Sequence, residues 1–296
     1  MTAPAGPTPA APAVCPAGAP TPALRPVGAA SSAAFKALLL RDLTVQRKNL
    51  REFLPRTLLQ PFLLVFVFTY VFPKIGQGVG GNAPSQAAEF STILVAGVVG
   101  LSIFFQGIQQ VALPMVQEFG YTKEIYDRVM APMPVWLVAV GKVVAGSIVG
   151  FISALVVFPI AAVVPATPVH LRVDWPVLAT LIPLACLLSA ALGLTFGTRF
   201  DPRNVPLLWG VFVVPITFLG AVYYPWTSLG PVTVGGFPWL KWLCALNPLV
   251  YVCEGFRAAL TEAPHMTLWA VYPVMAAFTV LFGWLGVSGF RRRVLS

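Results

Sequence analysis

Three groups of side chains and one isolated lysine have the types and spacing to do chemistry. The stretch EFGYTKEIYDRVMAPMP, residues 118–134, interleaves acids, bases and apolar residues and closes on two prolines that stop a helix. Phe119, Tyr121, Ile125 and Tyr126 supply apolar anchors, and Glu118, Thr122, Lys123, Glu124, Asp127 and Arg128 a polar rim, the make-up of a surface that docks a soluble partner. Helix caps at Glu118 and Thr122 are the plainer use of the same residues. Gln106, Gln109 and Gln110 fall at i, i+3 and i+4, on one face of a helix, where they either line a polar path or hydrogen-bond neighbouring helices. Glu254 and Arg257 are three apart and meet as an ion pair on a helix, to stabilise their segment or to gate an exit. Lys142 sits inside an apolar run, either snorkelling to its nearer end or carrying a functional charge.

Other chemistry is excluded by what these groups lack. No G-x-x-x-x-G-K-[ST] loop is present, and Gly141-Lys142 lacks both the upstream glycine and the following Ser or Thr, so the chain is not expected to hydrolyse ATP. His170 and His265 fall in expected outer loops without catalytic partners, and no catalytic residues are assigned. Cys15, Cys186, Cys244 and Cys253 have no C-x-x-C spacing, so no metal is expected. Nine residues of helix would hold Cys244 and Cys253 about 13 Å apart, too far for a bridge.

The elements that position these residues are dictated by the bilayer. Hydrophobic residues make up 57% of the 296 and charged residues only 10%, with a mean hydropathy of +0.81, so the chain cannot cover a water-facing surface. The net charge of +9 sits in short gaps between apolar runs, which argues for membrane topology and against nucleic acid as a partner. Apolar runs long enough for a bilayer core predict an all-α integral membrane protein with six transmembrane helices, at about 54–72, 90–116, 135–164, 175–198, 205–224 and 267–290. Residues 1–32, rich in Ala and Pro, are expected to be a disordered cytoplasmic tail and not a secretory signal. Residues 33–53 form a basic two-faced helix expected to lie in the membrane interface, with Asp42 misplaced on its apolar side; an ordinary cytoplasmic stub is the alternative. The permease domain is then 54–293. Between Pro225 and Pro264 the chain is too apolar for a loop and too interrupted for a span, which predicts a re-entrant helical hairpin at about 238–262. Six spans place fourteen Lys and Arg on the cytoplasmic side with both termini, and four outside.

The segment 118–134, the run Phe218 to Pro225, and the stretch Asn247-Pro248 to Glu254 and Arg257 before the last span occur in this order with this topology. Together they make the chain resemble the membrane subunit of type-2 ABC exporters, the family of drug, polysaccharide and lipo-oligosaccharide permeases, over about residues 33–293. The resemblance implies a homodimer or heterodimer and a cytoplasmic ABC ATPase on each half. It implies that residues 118–130 form the helix inserted into that ATPase and that Asn247, Pro248, Glu254 and Arg257 belong to the re-entrant element. ATP and Mg²⁺ would be held by the partner, with no cofactor in this chain. The cargo expected is a hydrophobic or amphiphilic compound moved out across the cytoplasmic membrane, with membrane lipid as the surrounding partner. A polysaccharide or lipid-linked glycan is the alternative within transport, and a membrane-integral enzyme or scaffold the alternative outside it.

Overall fold

The computed structural model describes residues 27–49, 55, 59, 62–71, 84–163, 172–200, 205–231, 233 and 236–295, and the regular elements among them are helical. Helix α1 covers Val27–Lys48. It starts six residues inside the segment expected to be disordered, because Ala29, Ala30, Ser31, Ala33 and Ala34 tolerate a helix well and Ser31 Oγ donates to the Pro132 carbonyl at 3.0 Å. The rest of that tail, and most of the expected span 54–72, lie outside the described residues; Phe62–Val71 is helical and closes in a π turn over Val67–Val71.

Helix α2, Pro84–Gly120, is the centre of the fold and is buried along its apolar length. A short helix α3, Glu124–Val129, follows, and then α4, Val135–Val163, and α5, Trp175–Arg199. Asp174 caps α5 by accepting from Val177 N at 3.4 Å, with Pro176 in the first turn. Helix α6 covers Val205–Phe218, α7 Trp239–Ala245, α8 Pro248–Leu260 and α9 Leu268–Leu295. Among the described residues, Glu89–Gly120, Val135–Pro159, Trp175–Arg199 and Leu268–Leu295 are long and apolar enough to cross a membrane. Helices α7 and α8 add a fifth crossing if their pair, bent by 90°, is counted as one broken span.

Helix α2 packs against α4, α5 and α8, and α5 packs in turn against α9. The α2–α5 contact is close because glycines remove the side chains between backbones. A Cβ on Gly193 would lie 2.5 Å from the Ile108 carbonyl oxygen, and one on Gly107 would collide with Ser189 Oγ. Small residues at such a crossing let dispersion forces act between whole backbones, which matters where lipid leaves little hydrophobic drive between helices.

The expected span 205–224 takes another form. Among the described residues α6 runs for 14 residues, roughly 21 Å, and stops at Phe218, short of a bilayer core. Beyond it Ala221 adopts φ 53° and the chain turns. Three carbonyls there accept from side chains: Asn247 Nδ2 donates to Ile216 O at 2.7 Å, Tyr224 Oη to Phe218 O at 2.6 Å, and Arg257 Nη2 to Ala221 O at 2.9 Å. Side chains from later in the chain thus replace the helix's own ladder, which local sequence does not reveal.

Candidate coupling site

The segment after α2 folds by local bonds. Tyr121 and Thr122 both donate their backbone N–H to Gln117 O, at 2.9 and 3.0 Å, closing the end of α2. Lys123 then takes φ 55°, a left-handed conformation that reverses the chain into α3. The short helix presents two unlike faces. Tyr121 and Met130, 76% and 78% exposed, flank it together with exposed Tyr126 and Asp127, Thr122 and Lys123. Ile125 is fully buried, in one cluster with Met115, Val138 and Phe290. Of the residues expected to dock a partner, Glu118, Ile125 and Arg128 therefore face inward, and Glu124 is half-exposed and paired with Arg41 at 3.0 Å.

Behind α3 lies a buried cluster of four charges, each from a different helix. Arg128 of α3 reaches Asp42 of α1 through Nη1 at 2.9 Å and Glu118 of α2 through Nη2 at 2.9 Å. Lys142 of α4 reaches Glu118 at 2.6 Å and Asp42 at 3.3 Å. Two cations balance two carboxylates, which is the condition for charge to persist in a low-dielectric interior. The balance is tighter in charge than in hydrogen bonds: Glu118 Oε2 and Arg128 Nε are buried with no hydrogen-bond partner among the described residues. Lys142 does not snorkel but is held inside. Asp42, a blemish on the apolar side of α1 by periodicity, is there because that side packs on α4, with Phe35 against Gly141. The two misfit charges in the sequence, an acid on an apolar face and a lysine in a span, were the signal of this site; only pairing them across 100 residues would have found it.

An open cavity of about 370 Å³ adjoins the cluster, between α1, α2, α3 and α4. Gln110 lines it, whereas Gln106 is buried and Gln109 half-buried, so the three glutamines of one helix face do not share one environment.

A second ion pair closes the other part of the fold. Glu254 and Arg257, both fully buried on α8, bond to each other. The Glu254 carboxylate also accepts from Trp226 N at 2.8 Å and Met266 N at 2.7 Å, so one side chain fastens three segments. Asn247 and Pro248 build the bend before α8: Asn247 Oδ1 accepts from Leu249 N at 3.0 Å, and Pro248 occupies the first turn.

The family model for the ABC-2 type transporter matches residues 33–261, from α1 through α8. The chain belongs to the ABC-2 type transporter family. That makes it the membrane component of an ABC transporter, a transport subunit whose ATPase resides in a separate chain. Among curated proteins it is similar to the inner membrane transport permease YadH of Escherichia coli (strain K12), 26% identical over 233 residues that cover 77% of this chain and 84% of that protein. The YadH proteins of Escherichia coli O157:H7 and Shigella flexneri match to the same extent. The matched region of this ABC-2 permease contains both ion clusters and the two-faced helix α3, and ends just before α9.

Proposed function

We propose that this permease is the membrane-spanning subunit of an ATP-driven exporter, with α3 as the part that a cytoplasmic ABC ATPase pushes. The observation that carries this reading is the two-faced build of α3. Tyr121, Tyr126 and Met130 stand out as aromatic and apolar anchors, while Ile125 and Arg128 lock the inner face to α1, α2 and α4. A load applied outside is thereby delivered to three helices at once. In this reading the ATPase closes on ATP and Mg²⁺ held in its own subunit, and the membrane helices exchange inward and outward states because the closed ATPase favours one of them.

The same reading places the permease in the cytoplasmic membrane, in line with the inner-membrane designation of YadH, as one half of a dimer with both termini in the cytoplasm. It takes six spans, counting the segments around 54–72 and 205–224, the latter as α6 extended by the turn up to Tyr224, with α1 in the interface and α7–α8 as a re-entrant element. The cargo is a hydrophobic or amphiphilic compound.

Loss of the docking anchors tests this directly. Tyr121→Ser with Tyr126→Ser is expected to remove at least about 2 kcal/mol of interface energy, roughly a 30-fold weaker complex, without changing membrane insertion. Co-purification of the ATPase at wild-type levels with the double variant would refute the role given to α3.

A further inference from the structure

The seam between α5 and α9 ends in a cluster of arginines that the coupling site does not use. A Cβ on Gly289 of α9 would lie 3.5 Å from Arg199 Cγ, so the missing side chain leaves the Arg199 stem room to rest against α9. Arg292 follows Gly289 by three residues and projects from the same side of the helix, one turn on. Arg199, Arg291 and Arg292 are exposed. Arg293 is already engaged: its Nη1 donates to Gly197 O at 3.3 Å and Phe200 O at 3.0 Å, closing the end of α5, and its guanidinium lies 4.7 Å over the Phe119 ring. Among the described residues none of Arg199, Arg291 and Arg292 is paired with a carboxylate. The surplus of cations is also one of composition, since residues 199–203 and 291–293 together hold five arginines and one acid, Asp201.

An apolar track leads up to these cations. Arg291 follows Trp284 by seven residues, two turns of α9, and on that face Trp284, Leu281 and Val280 are all exposed. From Val280 to Arg291 the helix rises about 16 Å, the depth of one leaflet of a hydrocarbon core roughly 30 Å thick. Charge that only fixed topology would need neither a second helix at the same seam nor an apolar face beneath it. A water-soluble acidic partner would match the cations and leave that face bare. A phospholipid covers both, because its phosphate takes the guanidinium fork while its chains lie along Trp284 and Val280.

We infer that the seam of Arg199 and Arg292, with Arg291 beside it, binds an anionic phospholipid, the phosphate held by the arginines and an acyl chain laid on the exposed face of α9. The site goes beyond the permease reading; only its assignment to the cytoplasmic leaflet rests on that reading.

The test uses the full-length chain in nanodiscs of equal parts phosphatidylglycerol and phosphatidylcholine, which share the phosphate and the chains and differ in net charge, with retained lipid counted by native mass spectrometry. Each cation at an anionic surface contributes about a fivefold factor in affinity, so phosphatidylglycerol is expected to be retained at least about tenfold over phosphatidylcholine. Arg199→Gln with Arg292→Gln should bring that ratio to within about threefold of unity. Arg292→Gln alone, expected to lose about fivefold, carries the test if the pair does not assemble. Lys36→Gln with Lys48→Gln removes the same charge from exposed positions of α1 and should change the ratio by less than about threefold. Equal retention of the two lipids by the wild type, a ratio untouched by the arginine variants, or an equal loss from the α1 pair would overturn the site. So would loss of ATPase co-purification from the arginine pair with the lipid ratio intact, the mark of an acidic protein partner. Both leaflets of the nanodisc hold the same lipids, so an inverted topology would move the site to the other leaflet and leave the ratios unchanged.

Discussion

Replacing Lys142 by methionine isolates what the four-charge cluster contributes. Methionine keeps most of the lysine stem's packing, so the change is chiefly the removal of one ammonium. In the wild type each carboxylate sees both cations, and no side chain in the cluster is more than 17% exposed. Without Lys142, Asp42 and Glu118 share Arg128 alone, and one buried negative charge has no counterpart. Breaking a buried pair in this way costs about 3–5 kcal/mol, and the cluster's partial access to the adjoining cavity puts the expected value near the lower figure, about 3 kcal/mol. Adding Glu118→Gln restores neutrality by leaving Asp42 with Arg128, so the double variant should be less destabilised than the sum of the two singles, by about 1–3 kcal/mol. Denaturant titration in mixed micelles, followed by tryptophan fluorescence, measures all three variants against wild type. A loss below about 1 kcal/mol for Lys142→Met, or strict additivity in the double variant, would show that the four charges do not act as a unit.

Two further substitutions probe the rest of the fold. Glu254→Gln leaves the fully buried Arg257 guanidinium without its counter-charge, and a loss of about 3–5 kcal/mol is expected in the same titration; a loss under 1 kcal/mol would contradict the fastening role of Glu254. Gly193→Ala puts a methyl 2.5 Å from the Ile108 carbonyl oxygen, a backbone atom that cannot turn aside, so α2 and α5 must separate at a cost of about 1–3 kcal/mol, seen as a lower midpoint with normal membrane insertion.

Much of this architecture is legible along the chain because the bilayer imposes a simple rule. Helices α4, α5 and α9 occupy apolar stretches that can be marked from hydropathy alone, since every backbone group in lipid must be satisfied within its own helix. The rule weakens where side chains take over from the backbone ladder. The stop of α6 at Phe218 depends on Asn247, Tyr224 and Arg257, which bond carbonyls up to 36 residues away in sequence. The inward turn of Ile125 and Arg128 was equally hidden, because a six-residue helix has too little periodicity to say which face is buried. Asp42 and Lys142 stand out singly as anomalies, and it is the packing of α1 on α4 that joins them.

The two ion clusters sit at different points along α2. Gly100 of α2 lies against Cys253, the residue before Glu254, whereas Glu118 of the same helix belongs to the other cluster. Eighteen residues of helix separate these two points, about 27 Å of rise, close to the roughly 30 Å of a hydrocarbon core. The two clusters thus meet α2 at well-separated points, with uncharged helix between them. Buried ion pairs are poor sources of net stability, because apolar packing of the same volume often does as well. Their advantage is direction: a guanidinium satisfied by two carboxylates fixes angle as well as distance. At one end that geometry ties α1, α2, α3 and α4 into one body behind the exposed face of α3, and at the other it ties α8 to the turns at Ala221, Trp226 and Met266. Between them α2 passes as a single buried helix with Pro114 inside it, and so links the cluster at Glu118 to Gly100 and the α8 bend through one element.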